Sequence, residues 1–445
     1  MALDPASPYL TDASGYRGAA ERVLTPADEQ EVVRILETAN NEGVPVTIAG
    51  AGTGLTGGRV PEGGWVLSLE RLNRIEIRDG EAICGAGAIL RDVQRAVAAQ
   101  GFFYPPDPTE WTASIGGTIA TNASGSRSLL YGPTRRSVKA IHVALARGEL
   151  LTPRRGEKPP FALPVLPASQ ARKNTAGYYL RRGMDYIDLF IGSEGTLGVI
   201  TEAELELLPQ ERGLFAGVVF FETDRAALDA VDAWRPVSRL RMLEYIDAGS
   251  LALLRAQFPE IPVDGRAALL VERAGDDWMP DAGMEASWFA ASARDRERFR
   301  AFRHALPEAV NALVRGRGLR KMGSDFAVPV ERNREMLAFY REVLDREFPG
   351  RYVIFGHIGD AHLHVNVLPS NEHEWETAKE LMIRFARRAV ELGGTVSAEH
   401  GLGKSKRHLL PIQFSPAEID AMKSVKRIFD PKWILGRGTL FEPDS

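Results

Sequence analysis

The chain has 445 residues, 44% of them hydrophobic and 26% charged, with a formal net charge of −4. This length predicts two or three domains of a globular protein, and the negative charge argues against nucleic acid as a main partner. No apolar run reaches the roughly 20 residues of a membrane span and no signal peptide is visible, so we expect a cytoplasmic protein, with a peripheral position at the inner face of the membrane left open.

The first predicted elements are a helix and a strand. Thr25, Pro26 and Asp28 indicate a helix start with Thr25 as the N-cap. Residues 44–49 are then typical of a strand. The single cysteine, Cys84, excludes internal disulfides and clusters bound by several thiolates, and its apolar neighbours predict a core residue.

A glycine-rich loop, residues 50–58, follows this strand directly. Residues 52–57 satisfy G-x-G-x-x-G, but the few residues before the next strand, at Trp65, leave no room for a crossover helix. A Rossmann unit is therefore not expected. The structural alternative is a plain tight turn. The functional alternative is a cradle of amides for a phosphate group, with a pyrophosphate as the expected guest.

Strands and helices are predicted to alternate through the rest of the chain. Strands are expected at 65–69, 199–208, 215–221 and 267–272, a hairpin at 138–151, and helices at 88–100, 224–234, 294–314 and from 423. Small residues in the passage 104–125 permit backbone to pack closely against a flat ligand. The alternation after residue 210 indicates an α+β domain over about 211–400.

Residues 361–367 alternate small or apolar residues with polar ones. As a strand, this segment places His362, His364 and Asn366 on one face and its apolar residues on the other. A lone histidine there would more often be structural. Two imidazoles on one face favour a functional site.

Further candidate ligands lie on either side of that strand. His357 precedes it, and Glu399 and His400 stand together in a later turn. Such a set suits a metal held by nitrogen and oxygen ligands with a free base beside it. The spacing is neither that of a zinc finger nor that of a His-Glu-x-x-His protease.

Together these motifs resemble the FAD-linked oxidases and dehydrogenases of the vanillyl-alcohol-oxidase superfamily. The D-2-hydroxyacid dehydrogenase branch, with D-lactate dehydrogenases, the glycolate oxidase flavin subunit and D-2-hydroxyglutarate dehydrogenases, is the most similar. The resemblance spans roughly residues 16–441 and rests on the glycine loop and on residues 105–107, 114–117, 121–125, 190–200, 357–366 and 430–438.

The resemblance implies an α+β fold in three parts. Residues 1–210 would form a two-part, PCMH-type FAD-binding domain. Residues 211–400 would form an α+β substrate or cap domain with a mainly antiparallel sheet and the metal site. Residues 401–445 would return to the FAD domain.

It also implies residues that bind FAD. They are Gly50, Ala51, Gly52, Thr53, Gly54, Leu55, Pro106, Asp107, Ser114, Gly116, Gly117, Asn122, Ala123, Gly125, Glu194, Gly195 and Ile200. The family usually has Asn-Pro-Gly near the C-terminus, where this chain has residues 436–438, Gly-Arg-Gly, so no contact is assigned there. The glycine loop contains no histidine, so FAD is expected to be non-covalent.

In the family pattern His357, His364 and Glu399 match the ligands of a divalent metal, zinc or manganese. His400 matches the catalytic base, expected to have a near-neutral pKa. This chain departs from the pattern at residues 361–362, where Ala-His replaces Gly-Asn. His362 can therefore add a ligand or a hydrogen bond.

The substrate residues implied by the resemblance are Arg303, which would grip a carboxylate with Arg300 as the fallback, Asn366 and Lys321. Hydroxyglutarate-specific members have a threonine where this chain has Pro307. That difference argues for a short monocarboxylate rather than a dicarboxylate.

The implied activity is oxidation of a D-2-hydroxy acid, such as D-lactate or glycolate, to the 2-oxo acid, with hydride transfer to flavin N5. A metal-free FAD oxidase of an alcohol or sugar, a D-2-hydroxyglutarate dehydrogenase, a flavin-free metal hydrolase and a non-catalytic subunit remain as alternatives. Quinone, an electron-transfer flavoprotein, a cytochrome and oxygen are all open as the electron acceptor, and a homodimer is open as the assembly.

Overall fold

The structure is a computed structural model that describes residues 3–4, 6–211, 213–275, 277–318 and 322–442. A small parallel sheet, in the order β1-β3-β2, opens the fold, with strands β1 (Arg22–Leu24), β2 (Val46–Ala49) and β3 (Trp65–Ser68). Helix α1 (Glu29–Glu42) lies between β1 and β2. Its N-cap is Asp28, whose carboxylate accepts from the Glu31 N–H at 2.8 Å. The prediction of Thr25 as the cap is wrong because the chain stays extended through Asp28.

A second, five-stranded antiparallel sheet has the order β4-β5-β9-β7-β8. Its strands are β4 (Ile75–Arg78), β5 (Glu81–Gly85), β7 (Val138–Ala144), β8 (Leu150–Leu151) and β9 (Val199–Glu206). The short strands β6 (Phe102–Phe103) and β10 (Leu208–Pro209) pair separately. Helices in this part are α2 (Leu90–Ala98), α3 (Ile115–Ala120) and α4 (Ser128–Tyr131). The predicted hairpin is β7 and β8.

A third, seven-stranded sheet is antiparallel throughout and has the order β14-β11-β13-β12-β16-β17-β15. Its strands are β11 (Leu214–Phe221), β12 (Leu240–Asp247), β13 (Ala267–Ala274), β14 (Trp288–Phe289), β15 (Met322–Gly323), β16 (Tyr352–Gly356) and β17 (His364–Val367). Its helices are α5 (Asp224–Trp234), α6 (Ala248–Leu254), α7 (Ala293–Gly316), α8 (Asn333–Glu347) and α9 (Glu372–Glu391). The predicted α+β class, with a mainly antiparallel sheet after residue 210, is confirmed.

One hydrophobic core runs through the five- and seven-stranded sheets. Leu129 of α4 belongs to the same buried cluster as Leu243 of β12 and Ile354 of β16. The backbone at Gly359 approaches so closely that a Cβ there would meet Leu129 Cδ2 at 2.8 Å. Because interiors pack at crystal-like density, a shared core fixes the relative position of the two sheets.

The C-terminal segment returns to the small parallel sheet. Helices α10 (Leu410–Gln413) and α11 (Pro416–Phe429) precede a turn at which the Val46 N–H donates to the Ile434 carbonyl (2.6 Å) and the Gly436 N–H donates to the Val46 carbonyl (2.9 Å). Residue 436 therefore sits beside the strand that leads into the glycine loop. No helix in the described part of the chain is both long and apolar enough to cross a bilayer.

Candidate active site

One cavity is lined by residues of both the glycine loop and the turn that carries Glu399 and His400. The cavity has a volume of about 270 Å³ and is partly open to solvent. Thirteen of the sequence-predicted FAD residues line it: Gly50, Ala51, Gly52, Thr53, Gly54, Leu55, Ser114, Gly116, Gly117, Ala123, Glu194, Gly195 and Ile200. Glu399 and His400 line the same cavity. The two groups of residues, far apart in sequence, therefore face one space.

The other four predicted FAD residues do not line this cavity. Asp107 accepts from Ser126 Oγ at 3.0 Å, and its backbone carbonyl would be 2.0 Å from a Cβ at Gly125. Gly125 has a φ of +145°, which together with this close approach requires glycine. Asn122 Oδ1 accepts from the Arg135 N–H at 2.9 Å, and Pro106 contributes its carbonyl to a contact with the Gln94 side chain at 3.3 Å. The contacts of these four residues are therefore with other parts of the protein.

The amides of the glycine loop are available to a ligand. Within residues 6–211, which the structure describes without a gap, none of the backbone N–H groups of residues 51–56 donates to a described protein group. Arg59 holds the loop by donating to the Gly50 carbonyl at 2.8 Å. Successive unpaired amides at a cavity wall form a nest that suits an anion.

The histidines occupy a turn and the strand that follows it. Residues 358–360 form a single 3-10 turn, Ala361 has a φ of +52°, and β17 begins only at His364. The prediction of a strand over 361–367 is therefore wrong in its first three residues, because the left-handed residue breaks the extended chain. The rings of His362 and His364 nevertheless meet, with centres 4.4 Å apart.

Glu399 is the centre of the cluster. Its Oε1 lies 3.1 Å from His357 Nε2 and 3.4 Å from His364 Nε2. Its Oε2 accepts from Lys173 Nζ at 2.9 Å and from Ser124 Oγ at 3.0 Å. Burial alone would raise the pKa of Glu399, but His357 and Lys173 hold it well below its usual range. The carboxylate is therefore ionised.

Two further groups orient the imidazoles. Glu244 Oε1 lies 2.5 Å from His357 Nδ1, and the Ser324 carbonyl lies 3.2 Å from His364 Nδ1. Both contacts place the proton on Nδ1 and turn Nε2 toward Glu399. Burial would raise the pKa of Glu244, but His357 and Arg303 bring it below its usual range.

Arg303, on α7, reaches the cluster through Glu244. Its Nε donates to Glu244 Oε2 at 3.1 Å, and its Nη1 donates to Thr109 Oγ1 at 3.0 Å. Thr109 lines the cavity. Arg300, the fallback for the carboxylate contact, pairs instead with Glu297 at 2.6 Å on the more exposed side of α7. The geometry thus separates the two arginines that the sequence left in competition.

Asp325 holds the turn that carries Glu399 and His400. Its Oδ2 accepts from Ser397 Oγ at 2.8 Å and from the His400 N–H at 3.0 Å. Its Oδ1 lies 3.4 Å from His400 Nδ1. Burial lowers the pKa of His400 to about 4, although Asp325 and Glu399 act in the opposite direction. This value is below the near-neutral pKa expected from the sequence, and it keeps the imidazole neutral.

The remaining predicted residues are placed less directly. Asn366 follows His364 by two in β17 and is buried, but it does not line the cavity. Lys321 lies outside the described residues. Cys84 is buried, and burial raises the pKa of its thiol to about 12, in keeping with a core residue rather than a nucleophile.

Sequence reasoning missed three charged residues of the site: Glu244, Asp325 and Lys173. Glu244 was detectable in principle, because it interrupts the apolar run of residues 242–246. Lys173, 2% exposed, and Asp325 lie in segments without a strong periodic pattern. Their role follows only from the folded arrangement.

Comparisons with known proteins agree with this architecture. Residues 20–153 match the family described as "FAD binding domain", and residues 214–440 match "FAD linked oxidases, C-terminal domain". A solved structure of alkyldihydroxyacetonephosphate synthase superposes with a TM-score of 0.67 over 93% of this chain and 76% of that one. At 17% identity, this likeness concerns the fold alone.

Three relatives match along nearly the full length. Glycolate oxidase subunit GlcD of Bacillus subtilis (strain 168) is 32% identical over 98% of this chain and 92% of its own. D-lactate dehydrogenase of Archaeoglobus fulgidus is 32% identical over 94% and 90%. D-2-hydroxyglutarate dehydrogenase of Xanthomonas citri pv. viticola is 31% identical over 94% and 89%. The chain therefore belongs to the FAD linked oxidases.

Proposed function

We propose that this chain oxidises a short D-2-hydroxy acid, of the D-lactate or glycolate kind, to the 2-oxo acid, with non-covalent FAD and a divalent metal. The observation that carries the proposal is one cavity lined both by the glycine loop and by Glu399 and His400. The names of the relatives, a glycolate oxidase subunit and two D-2-hydroxyacid dehydrogenases, support the substrate class.

FAD fits the first part of this cavity. The free amides of residues 51–56 match the charge of a pyrophosphate, and the loop offers neither histidine nor cysteine for covalent attachment. The wall of the cavity has no room for side chains at Gly50 and Gly116. A Cβ at Gly50 would lie 2.6 Å from Ser114 Oγ, and a Cβ at Gly116 would lie 2.7 Å from Ala86 Cβ. When bound, FAD supplies the acceptor for the hydride that leaves the α-carbon.

A divalent metal fits the cluster of His357, His364 and Glu399, of which Glu399 lines the cavity. In a tetrahedral zinc site with ligand distances near 2.05 Å, donor atoms are roughly 3.3 Å apart. The 3.1 and 3.4 Å spacings from Glu399 Oε1 to His357 Nε2 and His364 Nε2 match this value. The Nδ1 contacts to Glu244 and the Ser324 carbonyl are the outer partners that metal-binding histidines usually have. When bound, zinc or manganese makes the substrate hydroxyl more acidic.

The protein's own groups would then bind the substrate and move its proton. His400 is neutral and can accept the hydroxyl proton, while Asp325 beside Nδ1 stabilises the imidazolium that results. Arg303 keeps an Nη2 that makes no hydrogen bond to the described residues, and it can pair with the substrate carboxylate. Fixing both ends of the substrate orients its α-carbon.

The proposal is tested on purified protein with a panel of D- and L-2-hydroxy acids and an acceptor dye, together with an absorption spectrum and metal analysis. We expect bound flavin, a metal near one per chain and activity with D-monocarboxylates. His400→Gln should keep the flavin spectrum and lose about 100-fold or more in kcat, the scale of general-base catalysis. His373→Gln, on the exposed N-terminus of α9, is the matched control and should leave kcat unchanged.

Three results would contradict parts of the proposal. Colourless protein that takes up no added FAD removes the flavin reaction. Full activity after chelation, with no metal in the sample, removes the metal. Near-normal kcat of His400→Gln removes the base.

A further inference from the structure

His362 is a buried imidazole with one ring nitrogen, Nδ1, that has no hydrogen-bond partner among the described residues. It is 0% exposed, its Nε2 lies 3.1 Å from Asp325 Oδ1, and its Nδ1 makes no hydrogen bond to any residue that the structure describes. Buried polar groups in proteins are normally paired, so the unpaired Nδ1 calls for a partner.

The ring is aimed at the proposed metal ligands. Its centre lies 4.4 Å from that of His364 and 5.3 Å from that of His357, and its Nδ1 is 4.0 Å from Glu399 Oε2. One donor atom from each of these four residues lies within 4.8 Å of all the others. The opposite nitrogen, Nε2, lies 3.1 Å from Asp325 Oδ1. The imidazole thus stands between a ligand cluster and a buried carboxylate.

The backbone fixes this position. The His362 N–H donates to the His357 carbonyl at 3.1 Å, which closes the turn, and His362 forms an isolated bridge with Ala327. Asp325 is itself held by Ser397 Oγ. Both His362 and Asp325, the two partners of the Nε2 contact, are therefore held in place.

We infer that His362 is an additional ligand, through Nδ1, of the metal bound by His357, His364 and Glu399, with Asp325 accepting from its Nε2–H. The inference rests on the metal site of the proposed function. An ionised carboxylate on the far nitrogen fixes the tautomer and raises ligand basicity. Asparagine, which stands here in the family pattern, offers only a weak amide oxygen. A third nitrogen donor favours zinc or cobalt over manganese.

The test compares His362→Asn with the wild-type protein. Zn²⁺ and Mn²⁺ dissociation constants are measured on the full chain by competition with a chromophoric chelator. We expect the Zn²⁺ affinity of His362→Asn to fall at least about 10-fold. The Mn²⁺ affinity should fall less, so that the preference for Zn²⁺ narrows. His364→Ala should lose nearly all binding of both ions, and exposed His373→Gln should lose none.

The outcomes separate this inference from the proposal beneath it. Unchanged affinities and an unchanged Zn²⁺/Mn²⁺ ratio in His362→Asn, with binding lost in His364→Ala, overturn the inference and leave the proposed metal site intact. A wild-type protein that binds neither ion overturns the metal site and the inference together.

A measurement without mutation guards against a variant that fails to fold. In the Co²⁺-substituted wild-type protein, each coordinated imidazole contributes one strongly shifted, exchangeable N–H proton signal in NMR. We expect three such signals, from His357, His362 and His364. Two signals would overturn the inference.

Discussion

Replacing Glu244 by glutamine should weaken two contacts at once. The carboxylate accepts from Arg303 Nε at 3.1 Å with one oxygen and meets His357 Nδ1 at 2.5 Å with the other. Glutamine has the same shape but a single acceptor oxygen. Whichever way its amide turns, an NH₂ group then faces either the guanidinium or the imidazole N–H.

The size of the effect follows from burial. Glu244 is 4% exposed, so solvent cannot replace the lost partner. A hydrogen bond to a charged group contributes about 1.5–3 kcal/mol, and removing one member of a buried ion pair costs about 3–5 kcal/mol. Arg303 keeps its hydrogen bond to Thr109 and its electrostatic attraction to Asp107. We therefore expect a loss of about 3 kcal/mol in unfolding free energy, at the lower end of the range for a buried ion pair. If the metal site is as proposed, metal affinity should also fall about 10–100-fold.

The assay is urea unfolding of chelator-treated protein, with the midpoint shift multiplied by the wild-type m-value. Exposed Glu285→Gln is the control and should leave the midpoint unchanged. A double-mutant cycle with Arg303→Gln should give a coupling of at least about 1 kcal/mol. A loss below about 0.5 kcal/mol for Glu244→Gln, or strict additivity in the cycle, would refute the reasoning.

Two further predictions concern stability. Burial raises the pKa of Asp247 from 3.8 to about 6, so folding favours its protonated form and stability is lost as pH rises through 6. In urea titrations, Asp247→Asn should therefore be about 3 kcal/mol more stable than wild type at pH 8, and this gain should shrink toward pH 4. A difference that does not depend on pH would contradict this prediction. Gly125→Ala should lower the free energy of unfolding by about 2–5 kcal/mol, because it adds a clash with the Asp107 carbonyl to the strain of a positive φ. Gly156→Ala, also at positive φ but with open space around it, should lower it by only about 1–2 kcal/mol. Equal losses of stability in thermal melts would count against the clash.

Local sequence patterns predicted the glycine loop and the histidine strand because each depends on neighbours in the chain. The glycines of the loop indicate a backbone with exposed amides. The alternation of side chains in a strand predicted that His364 and Asn366 lie on one face. The errors were also local. Both Thr and Asp are common N-cap residues, so the sequence alone did not distinguish Thr25 from Asp28. In the structure Asp28 is the residue directly before the helix and caps it. The strand starts late because Ala361, a residue without a turn preference, takes the left-handed conformation.

The supporting charges could not be predicted in the same way. Glu244 meets His357 across 113 residues of sequence, and Lys173 meets Glu399 across 226. Only the packed sheets bring these pairs together, so no window of sequence contains the information. The choice between Arg303 and Arg300 is similar, because it depends on which side of α7 faces β12.

The turn that carries His400 is anchored on the back of the glycine loop. The amides of Lys404 and Ser405 both donate to the Thr56 carbonyl at 3.0 Å, and Thr56 Oγ1 lies 3.5 Å from the His400 carbonyl, 344 residues away in sequence. Contacts of such separation form late, after the chain between them has collapsed. During synthesis on the ribosome, the pocket therefore cannot be completed until nearly the whole polypeptide has emerged.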